Sequence, residues 1–236
     1  MSGSRALLVF AKTPKPGKVK TRLLAAVSAD VAAALHAACI EDTLRLARKM
    51  RVCDVFVFAA GGTSYFRRLG KKLGSGARVL VWPQRGDDLG ARMESAFRKC
   101  FAMGYREVVV IGTDTPWMGA ERVRRAFAEL KTNDVVIGPA EDGGYYLLGM
   151  RKMMAEIFRG IPWSTERVFE LTLKKTAALK LRTKLLRRDF DLDRPEDLKR
   201  AAGMLKRRPQ AAPRLAAAIG KLKAPASDGG RYKEIT

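Results

Sequence analysis

The sequence is poor in the residues on which most nucleophilic catalysis depends. It holds one histidine in 236 residues, His36, so neither a Ser-His-Asp nor a Cys-His arrangement is expected, and His36, on an Ala-rich helix, reads as structural. Three cysteines, Cys39, Cys53 and Cys100, are odd in number, far apart and without CxxC spacing. That pattern speaks against a disulfide framework and a zinc knuckle, and points to a reducing cytoplasm, with the thiols as small core residues. No apolar run approaches the ~20 residues of a membrane span, and the first, Ala6–Ala11, is too short for a signal-peptide core. A soluble protein is expected. Acids are scarce as well: 24 Asp and Glu face 46 Lys and Arg, a formal charge of +22. Residues 1–173 carry 28 basic and 17 acidic side chains, residues 174–223 carry 16 and 5, so the last third is the more basic per residue. A surface of this sign raises the question of which anions it meets, although the excess after residue 173 is expected to serve solubility or weak attraction to an acidic acceptor or membrane.

What the chain has is enough apolar content, 47%, for one sizeable core. Short runs rich in Val, Ile, Leu and Phe alternate with longer amphipathic stretches. Strands are predicted at Ala6–Ala11, Val52–Ala59, Arg78–Val81, Glu107–Gly112, Asp134–Gly138, Tyr145–Met150 and Lys184–Arg187. Helices are predicted at Ala29–Lys49, Ser64–Leu73, Leu89–Met103, Ala120–Lys131, Thr165–Leu179, Pro195–Arg207 and Arg214–Lys223. This alternation implies an α/β fold of Rossmann-like kind, with a mostly parallel central sheet and helices on both faces. Residues 1–208 read as one domain, and 209–236 as a basic Ala/Pro-rich tail, partly helical or loose.

Ligands of such sheets bind beyond the carboxyl ends of the strands, so candidate site residues are expected in the loops there. After the first strand, Lys12, Lys15, Lys18, Lys20 and Arg22 lie within eleven residues of a Gly-containing loop leading toward a helix, a set that could hold a di- or triphosphate. The loop follows neither the GxxxxGK[ST] nor the GxGxxG order, and the alternative is a solvated basic loop. Asp114 emerges from the apolar run Val108–Ile111, where a divalent cation bridging phosphate oxygens needs a carboxylate; a turn cap is the alternative. Glu141, Asp142, Gly143 and Gly144 follow the fifth strand, where a general base or hydroxyl ligand would stand, or where a turn would join two strands. Trp163 is a sugar platform or a core anchor, and Ser164 or Thr165 an N-cap. Asp193 and Glu196 suit a capping-box-like helix start with Pro195 in the first turn, which leaves Asp191 as a second metal carboxylate.

Six stretches occur in order: Phe10–Leu23, Gln84–Met93, Ile111–Pro116, Glu141–Tyr146, Pro162–Thr165 and Asp191–Leu198. Together they resemble the DUF2064 family, a group of GT-A-type proteins assigned to nucleotide-diphospho-sugar transferases, over about residues 5 to 200. The resemblance implies a GT-A sheet that binds a nucleotide or nucleotide-sugar with Mg²⁺ or Mn²⁺. It places the base near Ala11 and the Asp88, Gly90 and Arg92 loop, the phosphates near Lys12, Lys18, Lys20 and Arg22, and the metal at Asp114. Two departures stand out: the Asp-x-Asp of glycosyltransferases is reduced to Gly112-Thr113-Asp114, and the Gly-x-Gly-x-x-Arg of nucleotidyltransferases is missing. Arg194 also replaces the usual Thr before Pro-Glu-Asp.

The first functional expectation is a metal-dependent glycosyltransferase. Asp114 and Asp191 would hold the ion, the basic loop would neutralise the departing nucleoside diphosphate, and Asp142 would orient or deprotonate a small-molecule or lipid acceptor lined by Gly143, Gly144, Trp163, Ser164 and Thr165. The second is a nucleotidyltransferase working from a nucleoside triphosphate onto a phosphorylated acceptor. A third, of another class, is a non-catalytic binder of nucleic acid or anionic membrane. The stretch Lys174–Lys223 offers phosphate contacts with only Phe190 interleaved, so no sequence-specific reading of nucleic acid is expected of it, while weak contact with an anionic membrane stays open.

Overall fold

The structure, a computed structural model, describes residues 4–74, 79–223 and 233–234. A seven-stranded sheet is built from β1 (Arg5–Lys12), β2 (Asp54–Ala60), β3 (Val79–Pro83), β4 (Glu107–Ile111), β5 (Val135–Pro139), β6 (Tyr145–Met150) and β7 (Thr183–Leu185), in the order β3-β2-β1-β4-β6-β5-β7. Strands β1 to β4 pair in parallel, as do β5 and β7, whereas β6 runs antiparallel to both β4 and β5. The exception has a local cause. The Glu141–Gly144 turn between β5 and β6 is too short for a crossover and can only reverse the chain. Arg78, expected to open the third strand, lies outside the described residues.

The period-2 alternation of β1 decides the layering. Leu7 and Val9 face one side, where α1 (Ala29–Arg48), α2 (Ser64–Lys72) and α4 (Gly119–Glu129) contribute Ile40, Leu44, Phe66 and Phe127. Ala6 and Leu8 face the other, with Met93 and Phe97 from α3 (Leu89–Ala102) and Phe169 from α5 (Val168–Ala178). The expected α/β sheet covered on both faces is therefore present.

A third cluster lies outside α1. Leu23 and Val27, around a 3-10 turn at Thr21–Ala25, meet Leu35, Phe190 and Leu192, and the inner faces of α6 (Pro195–Arg207) and α7 (Pro213–Gly220). Of the tail from residue 209, expected to be partly helical or loose, the described part carries α7 and packs on the body. Leu215 is fully buried, which stabilises by about 2 kcal/mol, and the Asp42 carboxylate accepts the N–H groups of Arg214 and Leu215 at 3.1 and 2.9 Å.

Two helix starts differ from expectation. Helix α5 begins at Val168, because Ser164 takes φ 65° and the Thr165 hydroxyl donates to the Pro162 carbonyl at 2.7 Å, so these residues form a turn before the helix. At α6 it is Asp197, not Glu196, that closes the first turn: its carboxylate accepts the N–H of Arg194 at 2.7 Å and of Asp193 at 3.1 Å. Arg194 takes the N-cap position, so Asp193 is freed for another partner.

Candidate active site

The loop after β1 returns over the strand ends to deliver one side chain inward. Lys20 sits at φ 48°, a conformation non-glycine residues rarely adopt, and its side chain is 3% exposed. Its ammonium donates to Asp114 Oδ1 at 2.5 Å and to the Leu192 carbonyl. Burial alone works to lower the Lys20 pKa, but the Asp114 carboxylate overrides it and the ammonium is held protonated. Burial likewise works to raise Asp114, and the Lys20 ammonium overcomes it, so Asp114 stays ionised. The carboxylate is still 46% exposed on its other side and can bind a ligand.

Asp191, from the strap between β7 and α6, lies beside this pair and accepts a hydrogen bond from the Thr115 hydroxyl. Burial, and then the charge of Asp114, push its carboxyl up to about 7. Asp142 adds to that push and also holds the Arg22 guanidinium more firmly charged, so the β5–β6 turn shares one electrostatic field with the other two carboxylates. The Asp142 stretch is a turn between strands, its carboxylate accepting the Gly144 N–H at 2.9 Å, and its charge reaches Asp191. Arg22 pairs with Asp193 at 2.7 Å, so Lys20 and Arg22 together staple the basic loop to the strap at residues 192–193.

His36, read from sequence as merely structural, belongs to this cluster. It is 6% exposed; Nε2 lies 3.0 Å from the Lys12 carbonyl, and Nδ1 faces Asp114 Oδ1 at 4.0 Å without a hydrogen-bond partner. Burial lowers its pKa, so the ring is neutral. With the proton on Nε2 for the carbonyl, Nδ1 turns a lone pair toward the carboxylate. The sequence signal was a polar residue on the buried stripe of an Ala-rich helix that follows the basic loop.

The remaining expected residues divide into two groups. Lys12 and Lys18 are exposed with Lys15 around the loop tip, where Gly17 at φ 71° and the Lys18 N–H to Lys15 carbonyl bond of 3.0 Å complete a Pro-Gly turn. Ala11 is buried at the end of β1. Asp88 and Arg92 are engaged locally: Asp88 caps α3 by accepting the Ala91 N–H at 2.7 Å, and Arg92 Nε donates to the Gly86 carbonyl at 2.9 Å. Gly90 is required by close packing, since a Cβ there would lie 2.0 Å from Trp163 Nε1. Trp163, near Phe158 at 6.3 Å, is thus an anchor that joins the expected base-side loop to the expected acceptor side. Gly143, at φ 87°, packs on the Glu166 carbonyl and accepts the Phe169 N–H at 2.8 Å. Glu141 is drawn off by a bidentate pair with Arg200 at 2.6 and 3.0 Å.

Among the described residues no group of three His, Cys, Asp or Glu side chains is placed to hold a metal on its own. Asp114 and Asp191 do fit an ion of the Mg²⁺ type, which takes one or two carboxylates and completes its shell from substrate phosphates and water. The elevated Asp191 carboxyl marks two neighbouring carboxylates whose mutual charge Lys20 only partly offsets.

The chain matches, over residues 43–165, a family described as an uncharacterized protein conserved in bacteria, DUF2064. That span contains Asp88, Asp114 and Asp142 but neither the basic loop nor Asp191. A crystal structure from Desulfovibrio desulfuricans G20, provisionally called a nucleotide-diphospho-sugar transferase, is 34% identical, with 92% of this chain and 97% of that chain covered and a TM-score of 0.80. More distant folds include a CMP:2-keto-3-deoxy-manno-octonic acid synthetase complexed with CTP, at 10% identity, TM-score 0.54 and 86% and 99% coverage. A 4-diphosphocytidyl-2C-methyl-D-erythritol synthase from Anaerococcus prevotii DSM 20548 shows 10% identity, a TM-score of 0.55 and 86% and 98% coverage. No curated protein matches the chain.

Proposed function

The chain belongs to the DUF2064 family, and from that premise we propose that it is a transferase whose donor is a nucleotide-diphospho-sugar bound with Mg²⁺ or Mn²⁺. The observation that carries this reading is the convergence of Lys20, Asp114, Asp191 and Asp142 at the strand ends beneath a loop with exposed lysines. Lys20 and Arg22 are neutralised within the protein, so Lys12, Lys15 and Lys18 are left to meet phosphate. That reduced complement suits the lower charge of a diphospho-sugar better than a triphosphate.

In this reading Asp114 and Asp191 hold the ion, which when bound neutralises charge developing on the departing diphosphate. Lys12 and Lys18 bind the phosphates from the open side. Lys20 keeps Asp114 ionised and in place, and His36 fixes the Lys12 carbonyl from which the loop departs. Asp142 orients the acceptor hydroxyl and takes its proton, while Asp88, Arg92, Gly90 and Trp163 hold the base-side loop in shape. Three buried free thiols, and no helix among the described residues long and apolar enough to cross a membrane, support a place in the cytoplasm.

A thermal-shift screen of UDP-, GDP- and dTDP-sugars with Mn²⁺ tests the proposal. At least one donor is expected to stabilise the protein, and Asp114→Ala to abolish the shift. Nucleotidyl transfer is the second reading, favoured by the fold shared with two cytidyl-transferring enzymes, one seen with CTP. Stabilisation by CTP or another triphosphate alone, with pyrophosphate released on adding a phosphorylated acceptor, would replace the first reading by the second.

A further inference from the structure

A second basic region lies away from the strand-end cluster. A trough of about 1950 Å³ runs between the C-terminal half of α1, the start of α4, the Leu186–Phe190 segment and the end of α6. Its lining includes eleven Arg and Lys against four Asp and Glu. These cations come from three distant stretches, residues 45–51, 122–125 and 187–214, which only the fold brings together. Three of the acids are engaged: Asp42 with α7 backbone, Asp54 with the Tyr105 hydroxyl and Asp189 with Arg122. Lys49, Arg51, Arg187, Arg207 and Arg208 are exposed and make no ion pair among the described residues.

We infer that this trough binds a single strand of nucleic acid through its phosphates, without reading its sequence. Nearly all of the lining cations are guanidinium groups, whose planar forks match phosphate oxygens two at a time. The surface is concave, so a flexible chain can follow it where a flat bilayer would touch only the rims. Partly exposed Leu46, Leu73, Leu186 and Met204 lie between the cations, giving apolar contact for sugars and bases that inorganic polyphosphate would not use. Trp117 and Phe190, the aromatic residues of the lining, are only 9% and 5% exposed and pack on each other at 4.5 Å. They offer no platform for stacking a base, which makes binding indifferent to sequence.

The test is fluorescence anisotropy of a labelled oligothymidylate of about 20 nucleotides with the full chain, from about 50 to 200 mM salt. Neutralising five phosphates predicts a slope of log K against log salt of about −3.5. Reversing Lys49, Arg51, Arg207 and Arg208 to Glu is expected to weaken binding by at least about 100-fold at the low-salt end. A charge-matched control, Arg68→Glu with Arg106→Glu, Lys131→Glu and Lys152→Glu, should weaken it by less than about tenfold. Circular dichroism checks folding of both, and the milder Arg207→Ser/Arg208→Ser pair serves if the reversal set fails to fold. Equal losses in the two sets would overturn the inference, because net charge and not the trough would then be binding. So would polyphosphate of equal charge binding more tightly than the oligonucleotide, or trough-dependent capture on phosphatidylglycerol vesicles in place of the oligonucleotide.

Discussion

At the strand ends, one lysine is walled in at 3% exposure with its ammonium on a carboxylate and a carbonyl; along the trough, Arg207 and Arg208 are exposed and pair with no carboxylate among the described residues. Both regions are cationic, and their physics differs. The buried ammonium has given up its hydration, so its partners must be in place, and any change to them is felt in folding. The exposed guanidinium groups keep their water, interact at about a Debye length and are screened by salt. Charge count alone therefore does not say where the function of a basic protein lies: a single desolvated lysine at Asp114 constrains the fold more than five exposed cations in the trough.

The largest expected effect tests the buried side of that contrast. Asp114→Asn removes the counter-charge from Lys20 and leaves a buried ammonium with the Leu192 carbonyl alone, which should cost about 3 kcal/mol. Lys20→Met removes the other partner, but Asp114 is 46% exposed and water can take over its free oxygens, so about 1 kcal/mol is expected. Urea denaturation of the two variants measures the difference. Equal losses would mean that Lys20 is not desolvated, and the contrast between the regions would collapse.

The next effect depends on pH. Asp191 is pushed up to about 7 by burial and by Asp114, whereas an unfolded Asp titrates near 3.9. Between these values the folded state holds a proton that the unfolded state does not. This contribution is complete below about pH 4 and is lost as pH rises through 7. Asp191→Asn has no proton to lose, and its amide oxygen can still accept the Thr115 hydroxyl. Relative to the unaltered chain, it should gain on the order of 2 kcal/mol in going from pH 5 to pH 8 in the absence of divalent ions. A difference that stays constant across that range would show that burial and the charge of Asp114 do not raise the Asp191 carboxyl.

How much of this was legible in the sequence follows from how local each signal is. Strand β6 and helix α6 match their expected bounds to the residue, and α1 to within one, because Ser28, Pro195 and the apolar period act within a turn of the chain. That Asp114 and Asp191 come together is consistent with singling them out as carboxylates that stand out beside apolar stretches. What was missed needs three dimensions. His36 became a site residue only through a carbonyl 24 positions away, and Lys20 lost its freedom to a carbonyl 172 positions away. The docking of α7 rests on Asp42, which in sequence is one more charge on an amphipathic helix. The packing of Trp163 on Gly90, possible only without a Cβ there, is likewise invisible in the sequence.

Arg22 lies between the two regimes, and the smallest effect is expected there. Its pair with Asp193 is short, 2.7 Å, yet the arginine side chain is 58% exposed and the geometry is that of a surface contact. Arg22→Gln should leave the urea midpoint unchanged within error, in low and high salt alike. Its effect should surface in ligand binding, because the pair holds the basic loop against the 192–193 strap and sets where Lys18 can reach. A weaker thermal shift with a nucleotide-sugar, at unaltered stability, is the expected outcome. If the midpoint instead falls as far as in Asp114→Asn, Arg22 belongs with the desolvated cluster, and the boundary between buried and exposed charge has to be redrawn around the whole loop and not around Lys20 alone.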